Sequence, residues 1–246
     1  MKLAIMQPYF LPYIGYFQLI NAVDRFVIYD NIQFTKKGWI NRNRILANGK
    51  DEFITLPLKN DSDYLDIDKR QLADTFEEDR QKLLRRIKEA YRKAPHFERV
   101  FPFVEDLFNY SNRNLYAFIY NSLVEVCKFL EINTEFVISS SLKMDHALKS
   151  EQRVLAIASE LDAGVYINPI GGLELYSGEN FKACHIELIF IQSDPILYKQ
   201  FNHEFVPWLS ILDVMMFNQN RAKLIADIRR LERMVKIKTE NKKANA

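Results

Sequence analysis

The sequence predicts an α/β fold: a mainly parallel open sheet with a Rossmann-like core and a helical insertion in the middle of the chain. Three observations carry this reading. Short apolar runs bounded by polar residues recur at Lys2–Met6, Arg25–Tyr29, Gly164–Ile167 and His185–Ile191, the pattern of strands buried on both faces. Segments with helical spacing separate several of these runs, as in βαβ units. Between about residues 74 and 132 the apolar residues recur at helical spacing alone.

The elements follow in order. Lys2–Met6 is a first buried strand, ended by Gln7 and Pro8. Pro12 to Ile20 makes two or three helical turns, with Pro12 near the first position, where its missing N–H costs nothing. Arg25–Tyr29 is the second strand. Residues 42–59 read as a hairpin turning at Asn48-Gly49. Thr75-x-x-Glu78 has the spacing of a capping box and opens a helix along Leu83, Leu84, Ile87, Ala90 and Tyr91, ended by Pro95. A second helix covers Val100 to Tyr110. Ser111 caps a third along Leu115, Ile119, Leu123, Val126 and Leu130. Then come a strand at Glu135–Ser139, a helix at Glu151–Leu161, strands at Gly164–Ile167 and His185–Ile191, and an amphipathic helix from about Asn218 to Val235. A frayed basic tail follows at about 237–246. No linker rich in Gly, Ser or Pro interrupts the chain, so residues 1–246 read as a single domain.

Composition narrows the function. Of 246 residues 48% are apolar and the net charge is +2, which excludes disorder. No apolar run reaches the ~18 residues that a membrane helix needs. The segment MKLAIMQPYF reads as a strand, not a signal peptide, because no small-residue cleavage site follows. Cys127 and Cys184 stand alone in apolar segments, which fits a reducing, cytoplasmic setting. From Arg221 onward nine basic residues face three acidic ones. A solvated helix accounts for these, and the near-neutral total argues against nucleic acid as a partner. None of the four histidines has metal-ligand spacing, so no metal is indicated. The 32 aromatics are clustered, nine between Tyr9 and Trp39 and five between Tyr198 and Phe217. That clustering predicts one pocket lined or backed by Tyr9, Tyr13, Tyr16, Trp39 and Trp208.

Four strands run into polar residues: Gln7, Asp30-Asn31, Asn168, and Gln192-Ser193-Asp194. Ligands of open α/β sheets bind beyond the carboxyl ends of the strands, so Gln7, Asp30, Asn31, Asn168 and Asp194 converge on one cleft if their strands are parallel neighbours. Gly171-Gly172 follows a strand and can present backbone N–H groups to an anion. Arg42 and Arg44 share one face of a strand, Asn41 and Asn43 the other; the two arginines suit phosphate or carboxylate. Neither a phosphate loop nor a Gly-x-Gly-x-x-Gly turn is present, and no cofactor is identified.

Four blocks carry a resemblance. They are Met6 to Ile20 (MQPYFLPYIGYFQLI), Trp39 to Ile45 (WINRNRI), Tyr166 to Tyr176 (YINPIGGLELY) and Phe205 to Asp213 (FVPWLSILD). In this order they resemble the signature blocks of the WbqC-like proteins over nearly the whole chain. The resemblance implies a place in O-antigen or other surface-polysaccharide gene clusters, where some members are labelled glycine or aminoacyl transferases acting on amino sugars. It adds Glu174, Trp208 and Asp213 to the substrate-binding candidates. The function so implied is an acyl- or aminoacyltransferase forming an amide on a nucleotide-linked amino sugar, with an acyl donor that can be carrier-bound. Asp30 is then the candidate general base, and the Gly171-Gly172 amides steady the oxyanion. Gln7, Tyr9, Tyr13, Tyr16, Asn31, Trp39, Asn41, Arg42, Arg44 and Asn168 bind substrate. Two alternatives stay open: a nucleotidylyltransferase-like protein, disfavoured because its His-x-Gly-His and Lys-Met-Ser-Lys-Ser elements are absent, and a non-catalytic sugar- or carrier-binding module.

Overall fold

The chain is described by a computed structural model over residues 1–192, 196–218 and 234–235. It passes through β1 (Lys2–Met6), α1 (Ile14–Asn21), β2 (Arg25–Ile28), the hairpin β3 (Arg42–Ala47) and β4 (Lys50–Thr55), and the helices α2 (Phe76–Tyr91), α3 (Phe97–Phe108) and α4 (Leu115–Phe129). It continues as β5 (Glu135–Ile138), α5 (Ser150–Glu160), β6 (Val165–Pro169), α6 (Gly178–Ala183), β7 (Glu187–Ile191), α7 (Ile211–Phe217) and β8 (Met234–Val235). The main sheet has the order β5-β2-β1-β6-β7-β8, parallel except for β8, which runs antiparallel to β7.

Strand alternation explains why the sequence shows continuous apolar runs. Successive side chains point to opposite faces. Ala4, Phe26 and Ile28 join a core with Phe17 of α1 and Phe118 and Leu123 of α4. Leu3, Ile5 and Val27 join a second core with Val154 and Ile157 of α5 and Phe181 of α6. Both faces are covered, so every strand position favours an apolar residue. Within the sheet the chain first builds outward from β1 through β2 to β5, then crosses back to the other side of β1 for β6. The strand order therefore reverses between β1 and β6, and a crevice opens there at the carboxyl edge.

Local signals account for most element boundaries. Asn48 and Gly49 have φ of 51° and 76°, the pair of left-handed residues that a two-residue hairpin turn requires, and Ala47 pairs with Lys50 across it. Elsewhere the structure departs from the sequence reading. Thr75 precedes α2, but its hydroxyl donates to Asp79 at 2.8 Å and no capping box forms. The cap of α4 is Asn114, not Ser111: its Oδ1 accepts from the Ala117 amide at 3.0 Å. His185 has φ 60° and lies in the turn after α6, so the last parallel strand starts only at Glu187. Of the helix expected over 218–235, only Asn218, Met234 and Val235 are described. The last two form a strand, because the free edge of β7 offers Phe190 and Ile191 as pairing partners. The tail at 237–246 and Asp194 lie outside the described residues. No helix of the described residues is long and apolar enough to cross a membrane.

Candidate functional site

At the carboxyl edge of the sheet, beside the β1/β6 reversal, lies a cleft of about 890 Å³. Gln7 after β1, Asn31 after β2 and Asn168 of β6 contribute from the strand ends. The first turn of α5 brings Lys149, Ser150, Glu151 and Arg153. Gly171, Gly172 and Tyr176 come from the tight turn after β6, and Asp66 from the loop before α2. The Gln7 side chain and the Asp66 carboxylate make no hydrogen bond within the described residues.

Arg153 is the main electrostatic feature. It is only 8% exposed, and its guanidinium donates to the Asn31 carbonyl oxygen at 3.3 Å, to Asn31 Oδ1 and to Ser139 Oγ at 3.5 Å. It also lies 5.0 Å from the centre of the Tyr29 ring. Its Nε has no partner, and no carboxylate among the described residues pairs with it. A buried charge costs several kcal/mol, roughly, unless an opposite charge compensates. The positive end of the α5 dipole adds to the same potential. Glu151 makes no ion pair with it: its two oxygens accept from the Ser177 amide and Asn180 Nδ2. This wall suits a phosphate or carboxylate.

Hydrogen bonds orient several of the other polar groups. Asn31 Nδ2 can only donate, so His146 Nδ1, 3.2 Å away, accepts, and Nε2–H then donates to the Leu142 carbonyl at 3.1 Å. Burial pushes the phenols of Tyr29, Tyr166 and Tyr176 upward, so all three stay protonated. Tyr166 donates to Asn168 Oδ1 at 3.2 Å, and Asn168 Nδ2 donates to the Pro169 carbonyl at 2.9 Å. These bonds orient the Asn168 amide, and Gly172 makes room for it: a Cβ there would collide with Asn168 Nδ2. Gly172→Ala should therefore displace that amide, costing about 1–2 kcal/mol, which thermal melts would check. Gly171, where an added Cβ would meet nothing within 4 Å, should accept alanine with no change in melting temperature. A Gly172→Ala protein that melts like the parent would show that the amide's position is immaterial.

Tyr9 also lines a second, smaller pocket of about 290 Å³, together with Pro12, Tyr13, Trp39, Asn43, Arg44 and Trp208.

Residues 7–225 match the WbqC-like protein family. The chain belongs to the WbqC-like family. A relative, the uncharacterized protein Rv1507c of Mycobacterium tuberculosis, is 28% identical over 219 residues, covering 88% of this chain and 93% of its own. No solved structure matches.

The cleft of this WbqC-like protein draws together only part of the expected set. Gln7, Tyr9, Asn31, Asn168, Gly171 and Gly172 line it. Asp30 does not: it is buried, and its Oδ1 accepts from Ser139 Oγ and the Ser140 amide at 3.1 and 2.9 Å, clamping the ends of β2 and β5. The structure thus places Asp30, the expected general base, behind the cleft and not in its lining. Arg42 is turned onto the Lys37 and Gly38 carbonyls and the Phe53 ring, and Arg44 pairs with Asp51 at 3.0 Å. Neither reaches the cleft. Asn41 is spent on the Leu56 carbonyl at 2.9 Å, and Asn43 on those of Phe10 and Leu11. Glu174 is exposed outside the cleft. Tyr16 is buried, with its ring 5.6 Å from that of Tyr9, and donates to the Gln7 carbonyl at 2.8 Å, so it backs the site without lining it. Tyr13, Trp39 and Trp208 line the second pocket. Asp213 lies wholly inside the protein. Sequence reasoning missed Arg153, Lys149, His146 and Asp66. For Arg153 a signal existed: it stands four residues before Ile157 and beside Val154, on the apolar stripe of its helix.

Proposed function

We propose that this WbqC-like protein binds a nucleotide-linked amino sugar in the β1/β6 cleft and transfers an acyl or aminoacyl group to its amine, as a step of surface-polysaccharide assembly. The observation that carries the reading is Arg153, a buried cation at the start of α5 with no carboxylate partner among the described residues. With Lys149 and the helix N-terminus it suits a diphosphate. Gln7, Asn168 and the protonated phenols suit the hydroxyls of a sugar.

In the reaction the amine nitrogen attacks the acyl carbonyl carbon and a C–N bond forms. The amine proton passes to the Asp66 carboxylate, which replaces Asp30 as general base because it lines the cleft and makes no side-chain hydrogen bond among the described residues. Backbone N–H groups of the Gly171-Gly172 turn steady the oxyanion. The carbonyl re-forms as the bond to the donor's leaving group breaks.

One observation favours the non-catalytic alternative, a binding module. Both His146 nitrogens and both Glu151 oxygens are already engaged, so proton transfer falls to Asp66 alone. Incubation with nucleotide amino sugars and a panel of acyl donors, read by mass spectrometry, should yield the added acyl mass. Asp66→Asn should lower the yield by about a hundredfold while leaving ligand binding intact. Tight binding with no product from any donor would establish the module instead.

A further inference from the structure

We propose that the pocket between Trp39 and Trp208 is a carbohydrate subsite that takes one uncharged pyranose ring. The inference stands on this pocket's own geometry and does not depend on acyl transfer occurring in the cleft.

The chain has two tryptophans, and both line this one pocket of about 290 Å³, room enough for a sugar ring with its hydroxyls. They are 39% and 45% exposed, an unusual allotment for the largest apolar side chains. Trp208 is also strained, with φ at 60°. For a bulky residue that conformation costs of order 1–3 kcal/mol and persists only where surroundings enforce it. Here they do. Arg44 Nη2 donates to the Trp208 carbonyl at 3.2 Å, and the Ser210 amide donates to the Arg44 carbonyl at 2.8 Å. Ser210 Oγ and the Ile211 amide then donate to the carbonyls of Leu11 and Pro12, both at 2.8 Å. Three segments distant in sequence thus hold the indole at the pocket mouth.

The walls specify the ligand's chemistry. Arg44 is neutralised by Asp51, the Asn43 donors are spent on backbone, and burial raises the Tyr9 phenol so that it stays protonated. Among the described residues no unpaired cation there compensates an anion. The Arg44 guanidinium, 5.5 Å from the Trp39 ring centre, already makes the cation–π contact that this ring offers. Trp39 is already stacked on Phe53 with centroids 6.1 Å apart, so the remaining offer is the ring faces of Tyr13 and Trp208 and the Tyr9 hydroxyl, which suit polarised C–H groups and sugar hydroxyls. Tyr13 and Trp208 meet at 76° with centroids 5.7 Å apart. Two walls near a right angle cradle the face and edge of a chair-shaped ring, whereas a flat base favours parallel faces. Tyr9 lines both the cleft and this pocket, so a saccharide in one can extend into the other.

Because the only two indoles lie here, tryptophan emission, excited to the red of tyrosine, reports on this pocket. Titration with methyl hexopyranosides and methyl disaccharides should give a saturable change with affinity on the order of millimolar. Trp208→Ala should weaken it at least tenfold, and Trp208→Phe should largely retain it, monitored through Trp39. Arg153→Ala should leave it unchanged while nucleoside diphosphate binding is lost, which separates this site from the phosphate wall of the cleft. The proposal fails if no pyranoside gives a saturable response in the folded parent, or if the response survives unchanged in folded Trp208→Ala. It fails equally if free nucleosides, and not glycosides, elicit the response.

Discussion

Arg153→Ala is expected to abolish measurable binding of nucleoside diphosphates, a loss of at least a hundredfold in affinity, or about 3 kcal/mol. The magnitude follows from burial. A hydrogen bond between charged partners shielded from water contributes about 1.5–3 kcal/mol, and Arg153 can offer its unpartnered Nε as well as its charge. Arg153→Lys keeps the charge but loses the planar fork, so an intermediate loss of about tenfold is expected. Calorimetric titration with UDP, at two salt concentrations, measures both. Fold integrity matters here because the guanidinium also ties Asn31 to Ser139, so near-ultraviolet circular dichroism must accompany each titration. Undiminished UDP affinity in a folded Arg153→Ala protein would place the phosphate site elsewhere.

The second large effect concerns stability. Asp213 is fully buried, and its carboxylate accepts from Tyr91 at 2.9 Å, Tyr198 at 2.6 Å and Gln200 at 2.7 Å. Tyr91 in turn accepts the Leu46 amide at 2.9 Å. One carboxyl group therefore joins α7, the end of α2, β3 and the segment around residues 198–206. Asp213→Ala strands three buried donors and should cost about 3–5 kcal/mol in urea unfolding; a loss under about 1 kcal/mol would contradict the cluster's structural role.

Burial also raises the Asp213 pKa from 3.8 to about 6, against the three hydrogen bonds that pull it down. Between those values the folded chain holds a proton that the unfolded chain has released. The associated stability is fully present below about pH 4 and is lost as pH rises through about 6. Measured against Asp213→Asn, which cannot titrate, the parent should gain roughly 3 kcal/mol between pH 7 and pH 4. Parallel pH profiles for the two proteins would show that the carboxyl does not titrate in this range.

Much of the site's frame was legible in the strand ends, but not which residue at each end would face the cleft. Asp30 and Asn31 are neighbours after β2, and one became an inter-strand clamp while the other lines the cleft. The two differ only in direction, which depends on where β5 and its Ser139 sit. Arg42 and Arg44 looked like anion binders because their acceptors, the Gly38 and Trp208 carbonyls among them, are invisible until the chain is folded. Arg153 was readable as a cation on an apolar stripe, yet nothing local says that the start of α5 faces the reversal of strand order.

What the sequence determined by itself is what depends on short range: the apolar runs of β1, β2, β6 and β7, the left-handed turn at Asn48-Gly49, the helix after Pro12 and the blocks that mark the WbqC-like family. Periodicity and turn chemistry act over a few residues and leave their mark in the residues themselves. Only the tertiary structure decided that β6 crosses back to lie beside β1, and that Arg153 meets no carboxylate among the described residues. It also decided that Asp213 is sealed inside the protein. Those outcomes rest on contacts between residues tens to more than a hundred positions apart, which local pattern does not encode.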